Sequence, residues 1–205
     1  VERICGDVFL SRKVKEENRT IAVLSDGMGH GVKANVLATL TATMAVNFAM
    51  EHKAVQKIAE IIMNTLPVCS ERHMSYSTFT IVDIDHYGLT TILEYDNPHA
   101  IILRDNKPID PGWNCLILES DKNAGKEILT CQFQPRKEDR IILCSDGIAQ
   151  SGLGTDKYPL GWGRDSILDY AMKLVGNSPK ISASKMALKM VNMAHRNDGF
   201  LSKDD

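Results

Sequence analysis

No run of about 18 apolar residues occurs in the chain, so no segment reads as a membrane-spanning helix. A basic-then-apolar signal pattern is missing at the N-terminus, and the chain opens on Val1 instead of Met. Residues 1–205 are therefore read as a single domain cut from a longer protein. Charge of either sign is scarce in net terms: 24 Lys and Arg against 26 Asp and Glu leave −2, with no electrostatic footprint for nucleic acid or for an anionic membrane. Cysteine pairing is equally weak. The five cysteines (Cys5, Cys69, Cys115, Cys131 and Cys144) are odd in number and form no CxxC, which argues against a disulfide framework and a zinc ribbon. Cys115, Cys131 and Cys144 lie in or beside apolar runs and read as small buried hydrophobes, and a reducing cytoplasm is the expected compartment. Internal repeats and low-complexity tracts are absent.

The remaining composition is that of a globular protein, with 43% hydrophobic residues. Ile4–Leu10 and Ile21–Ser25 read as strands joined by a charged connection, SRKVKEENRT. If they form a hairpin turning near Glu16–Glu17, Asp7 falls opposite Asp26, because antiparallel partners keep a constant index sum. Facing carboxylates repel unless a cation lies between them. Lys33 to Met50, rich in Ala, Leu, Thr, Met and Val, reads as a buried helix. Ala54 to Leu66 is a second helix, with Val55, Ile58, Ala59, Ile62 and Leu66 at helical spacing and Pro67 as its stop.

Six short β-type runs follow, Ser77–Asp85, Leu89–Tyr95, Ala100–Arg104, Cys115–Glu119, Glu127–Gln134 and Arg140–Ser145. Their connections are too short for crossovers, so the spacing predicts a largely antiparallel meander. Helices return at Arg164–Val175 and after Ser182, a plausible N-cap, with Ala183, Met186, Ala187, Met190 and Ala194 on one face. The glycine-rich segment between Ser151 and Gly163 reads as a mobile surface loop. The order of elements predicts an α+β architecture.

An apolar run ending in Ser-Asp-Gly occurs twice, in IAVLSDG at 21–27 and IILCSDG at 141–147. One Asp-Gly is commonly a turn. Two such endings, together with Asp7 and the terminal Asp204-Asp205, suggest carboxylates converging on cations. Oxygen ligands suit Mg²⁺ or Mn²⁺ better than zinc. GMGHGVKAN matches neither GxxxxGK[ST] nor GxGxxG, and SDGMGHG does not place glycines as DxGxG requires. Phosphate cradling by this loop alone is the weaker reading.

The set CGDVF at 5–9, LSDGMGHGVKAN at 24–35, CSDGI at 144–148 and KDD at 203–205 resembles the metal-dependent protein phosphatases (PPM type), specifically the bacterial sporulation stage II E branch. NPHAIILR at 97–104 is similar to a turn and strand that many bacterial members carry. The resemblance implies a four-layer α/β/β/α sandwich, two antiparallel sheets flanked by helices, and two Mn²⁺ or Mg²⁺ ions at one edge. By the same resemblance Asp26 would bridge both ions and the Gly27 carbonyl would bind one. Asp146 and the Asp204–Asp205 pair would serve the other, and Asp7 would bind directly or through water. Hydrolysis of phosphoserine or phosphothreonine would proceed by direct attack of a metal-bridging hydroxide.

In the family the Asp-Asp pair opens another strand, so a chain ending at Asp205 is expected to lack its last one. The expected partner is a phosphorylated protein such as an anti-anti-sigma-type regulator. A regulatory N-terminal region or a partner would act by moving the helix that the glycines tether to Asp26, and a homodimer is the other assembly expected. The alternatives are a catalytically weak, partner-sensing module and a small-molecule phosphomonoesterase.

Overall fold

The computed structural model describes residues 4–66, 77–118 and 123–199, in two compact units. Pro67, Cys69, Glu119, Asp204 and Asp205 lie outside the described residues. Among those described, no helix is long and apolar enough to cross a membrane.

The first unit comprises residues 1–97 and 111–135. Its framework is a hairpin of β1 (Asp7–Val14) and β2 (Arg19–Gly27), followed after two helices by β3 (Ser77–Ile84) and β4 (Thr90–Tyr95). Two later strands complete an antiparallel sheet of order β1-β2-β3-β4-β8-β7, β7 being Asn114–Ile117 and β8 Glu127–Phe133. The hairpin turns at residues 15–18, as expected, but its arms are longer than the apolar pattern suggested. Most of the charged SRKVKEENRT segment is strand. The reason is position: β1 is a sheet edge, where Arg12 and Lys13 stay solvated and discourage edge-to-edge pairing.

Burial alternates residue by residue along β2, with Ile21, Val23, Ser25 and Gly27 on the buried side. That side receives α1 (Val32–Met50) and α2 (Val55–Thr65). Helix α1 presents Ala34, Ala38, Ala42, Ala45 and Ala49 inward, small residues that let its backbone lie close to the strands. Its outer stripe is apolar yet exposed, at Val32, Val36 and Leu40, so the helix is half buried and not enclosed. Ile58, Ile62 and Met63 of α2 close the core against Phe79, Ile81 and Leu93.

The far end of this unit is held by side chains. Arg19, buried, donates from Nε and Nη2 to the two carboxylate oxygens of Asp83 at 2.8 and 2.6 Å. Its Nη1 reaches His52 Nδ1 at 3.1 Å, just beyond α1, and His52 Nε2 contacts Glu17 Oε1 at 3.0 Å. Because a guanidinium can only donate, His52 Nδ1 accepts and the ring's proton sits on Nε2, facing Glu17.

The second unit comprises residues 98–110 and 136–205. Its antiparallel sheet has the order β6-β5-β9, from β5 (Ile101–Arg104), β6 (Lys107–Pro108) and β9 (Arg140–Ile142). The single meander is therefore corrected. β4 pairs with β8, while β5 pairs with β9, so the short runs divide between two sheets. Pattern alone could not see this, since Ile101, Ile102 and Leu103 of β5 are all buried and show no alternation to bias its partner. Three further helices follow, α3 (Asp146–Ala149), α4 (Gly163–Asn177) and α5 (Ala183–Asn197). Ser182 caps α5, accepting from the Lys185 amide at 3.3 Å, as expected. Met186, Met190 and Ala194 pack with Ile101, Leu103 and Trp162, while Ala183 and Ala187 are exposed.

Each sheet carries helices of its own, which is the α+β class the sequence predicts. The cysteine expectation holds for Cys131, which is buried, and fails for Cys115, which is exposed on β7.

Candidate functional site

Asp7 opens β1 and Asp26 is the penultimate residue of β2, and the hairpin register makes them direct partners. Both alternate away from the face that α1 covers. On the other side of Asp26 the next partner is Thr78 of β3, so Asp7, Asp26 and Thr78 form one row across three strands. The Thr78 hydroxyl donates to Asn97 Oδ1, and Asn97 Nδ2 donates to Thr80 Oγ1 at 3.1 Å. The buried Asn97 of the Asn-Pro-His turn thus braces the strand beside Asp26.

The turn after Asp26 is built for closeness. A Cβ placed on Gly27 would stand 2.0 Å from the Ala34 carbonyl oxygen, so only glycine lets the first turn of α1 rest on the end of β2. Gly29 and Gly31 have φ of 94° and 75°, the left-handed region where glycine is unstrained. The Asn35 amide donates to Gly31 O at 3.0 Å, and Asn35 Nδ2 donates to Cys5 O at 2.8 Å, two residues before Asp7. His30 is exposed and takes no part in these bonds.

Asp146 belongs to the second unit and is described there. The sequence places it where a strand meets the surface. Instead β9 ends at Ile142, and Asp146 opens the short helix α3 behind the buried Ser145. Gln150 Nε2 donates to Asp146 Oδ2 at 3.1 Å and fixes that carboxylate from one turn away. The following loop lacks regular structure, as expected, but it is not loose. The Gly152 amide donates to Asp198 Oδ1 at 2.6 Å, Asn197 Nδ2 to Ser151 Oγ at 3.3 Å, and Trp162 is buried.

Of the groups expected as metal ligands, the structure makes Asp7 and Asp26 cross-strand partners, with Gly27 next in the chain. All offer oxygen, which fits a hard cation such as Mg²⁺ or Mn²⁺ and not zinc. Among the described residues no three His, Cys, Asp or Glu side chains gather into a metal-binding group. Asp204 and Asp205, the remaining acids of the expected set, are outside them. Asn35, Ser77, Thr78 and Gln150 were not singled out by sequence reasoning. They act through hydrogen bonds to carbonyls, hydroxyls and a carboxylate, and such roles leave no periodicity.

Solved structures define the class. The phosphatase domain of SpoIIE from Bacillus subtilis superposes with a TM-score of 0.63 at 17% identity, covering 98% of this chain and 82% of that one. The SiaA-PP2C domain of Pseudomonas aeruginosa gives 0.68 at 15%, over 98% and 77%. RsbX in complex with magnesium gives 0.63 at 17%, over 95% and 83%. The fold is that of the PP2C-type phosphatase domains. No curated protein sequence gives a match. The family profile of stage II sporulation protein E (SpoIIE) matches residues 16–205, and the chain belongs to that family.

Proposed function

We propose that the protein is a metal-dependent serine/threonine phosphatase acting on a phosphorylated bacterial regulatory protein, an anti-anti-sigma-type regulator being the preferred candidate. The reading rests first on the facing Asp7 and Asp26 carboxylates at the end of one hairpin, an arrangement that is unfavourable without a cation. Membership of the SpoIIE family and the magnesium in the RsbX structure support the same choice of ion.

In this reading Asp26, Asp7, Asp146, Asp204 and Asp205, with Gly27 through its carbonyl, would hold two Mn²⁺ or Mg²⁺ ions, Asp26 serving both. Bound divalent ions supply a nucleophilic water of lowered pKa and offset charge on the phosphoryl oxygens. The chain's own part is positional. Asp7 and Asp26 are fixed by the β1–β2 ladder, Asp146 is oriented by Gln150, and Gly27 lets the first turn of α1 rest against the end of β2. No cysteine or serine nucleophile is required, so no covalent phosphoenzyme is expected.

The test is hydrolysis of a phosphoserine protein and of p-nitrophenyl phosphate in Mn²⁺, in Mg²⁺ and in EDTA. Turnover should depend on the metal and be lost in Asp26→Ala and Asp146→Ala. Undiminished turnover in EDTA, or in either variant, overturns the proposal. Turnover of small esters alone would favour a small-molecule phosphomonoesterase.

A further inference from the structure

The peptide between Asp26 and Gly27 joins two of the proposed metal donors, and it is gripped from both sides. Its N–H, on Gly27, donates to Gly6 O at 3.3 Å. Its C=O, on Asp26, accepts from the Ser77 hydroxyl at 2.9 Å. Ser77 is partner to Gly27 in the last pair of the β2–β3 ladder. At the last pair of that ladder a side-chain hydroxyl adds a donor to the Asp26 carbonyl.

Ser77 does not act alone. Its Oγ lies 2.7 Å from Ser25 Oγ, and Ser25 Oγ is also 2.9 Å from Thr78 O. Each hydroxyl has one proton to give. With Ser25 donating to Ser77 Oγ, the Ser77 proton is left for a carbonyl, and the Asp26 oxygen at 2.9 Å is nearer than that of Thr78 at 3.2 Å. Both serines are at most 1% exposed, beside Phe79 and Val23 on the α1 side of the sheet. Two hydroxyls in such a core cost free energy unless they are bonded. Their bonds to each other and to two carbonyls meet that cost.

We infer that Ser77 is a positioning residue that sets the orientation of the Asp26–Gly27 peptide and through it the two metal donors on either side. The inference rests on the phosphatase reading above. Hydrogen bonds that orient ligands from behind commonly change metal affinity by about 10–100-fold when removed. Removing the Ser77 hydroxyl takes from the Asp26 carbonyl its side-chain donor and loosens the orientation that the strand ladder alone gives the peptide.

The experiment compares the unaltered chain with Ser77→Ala and Ser25→Ala. Mn²⁺ affinity is measured by titration calorimetry, and Gly27 amide exchange by NMR in metal-free protein. Ser77→Ala should weaken Mn²⁺ binding by about tenfold and speed Gly27 exchange. Ser25→Ala removes a hydroxyl of like burial without removing the bond to Asp26, and should do much less of both. Ser77→Thr, which keeps the hydroxyl, should restore affinity. If Ser77→Ala does not fold, Ser77→Cys keeps the volume, weakens the bond and carries the same expectation.

Equal Mn²⁺ affinity in the folded Ser77 variants and the unaltered chain overturns the inference alone. Mn²⁺ binding without hydrolysis of any phosphoester overturns the phosphatase reading alone. No Mn²⁺ binding by the unaltered chain overturns both.

Discussion

Asp7 and Asp26 are cross-strand partners, two carboxylates set side by side by the register of a single hairpin. Like charges in this relation destabilise a sheet by roughly 0.2–1 kcal/mol, and a cation between them reverses the sign. In EDTA, Asp7→Asn should therefore raise thermal stability slightly. Addition of Mn²⁺ should stabilise the unaltered chain more than the variant. Thermal denaturation with and without metal reads both effects, and an identical metal-induced shift in the two proteins would contradict this account.

Gly27→Ala is expected to be severe. The added methyl would meet the backbone of Ala34, which cannot rotate away as a side chain could. Overpacking of this kind costs about 1–3 kcal/mol or more. Urea unfolding should show that loss, while Gly112→Ala, with open space but φ of 78°, should cost less.

Arg19 and Asp83 form a buried pair, and the guanidinium is held above its ordinary pKa chiefly by hydrogen bonding to that carboxylate. Asp83→Asn leaves a buried arginine short of its counter-charge and should cost about 3–5 kcal/mol. Replacing both residues with leucine should cost less than the sum of the two single changes, as a double-mutant cycle would reveal.

Asp139 gives a pH prediction for the second unit. Burial pushes its carboxyl up, but hydrogen bonds from Arg104 and from the Arg136 amide outweigh this, and its pKa falls below the ordinary 3.8. A depressed carboxylate contributes stability that is fully present above its unfolded pKa and is lost as pH drops through the folded one. Asp139→Asn should thus be clearly less stable at pH 7, and the gap should narrow below pH 3.8. A constant gap down to acid pH would show that the pair contributes nothing through charge.

The hairpin register was legible because it needs only strand period and a turn position, and Glu16–Glu17 supplied the turn. The helices at 32–50 and 183–197 were legible from composition and from the i, i+3, i+4 spacing of Met186, Met190 and Ala194. Strand exchange between the sheets was not, because β5 and β9 are buried or half-buried along their length and give no alternation. Of the site, the acids could be read and their supports could not. Asn97 bonds to Thr78 and Thr80 across the chain, and no local pattern announces such partners. Gly27 was legible as special, but the steric cause, Ala34 lying against it, exists only once α1 has docked.

Helix α1 is fastened near both ends, by Asn35 to Cys5 at one and by His52 beyond the other to Arg19. Nineteen residues at about 1.5 Å each make it a rod of about 28 Å. In mechanical terms it is a beam clamped at both ends and not a cantilever. Because Ala34, Ala38, Ala42, Ala45 and Ala49 are buried along its length, it can swing only if a clamp and this seam open together. Opening the His52 clamp would leave the Gly27 end as a fulcrum, whereas opening the Asn35 clamp would free the end that rests on the aspartate turn.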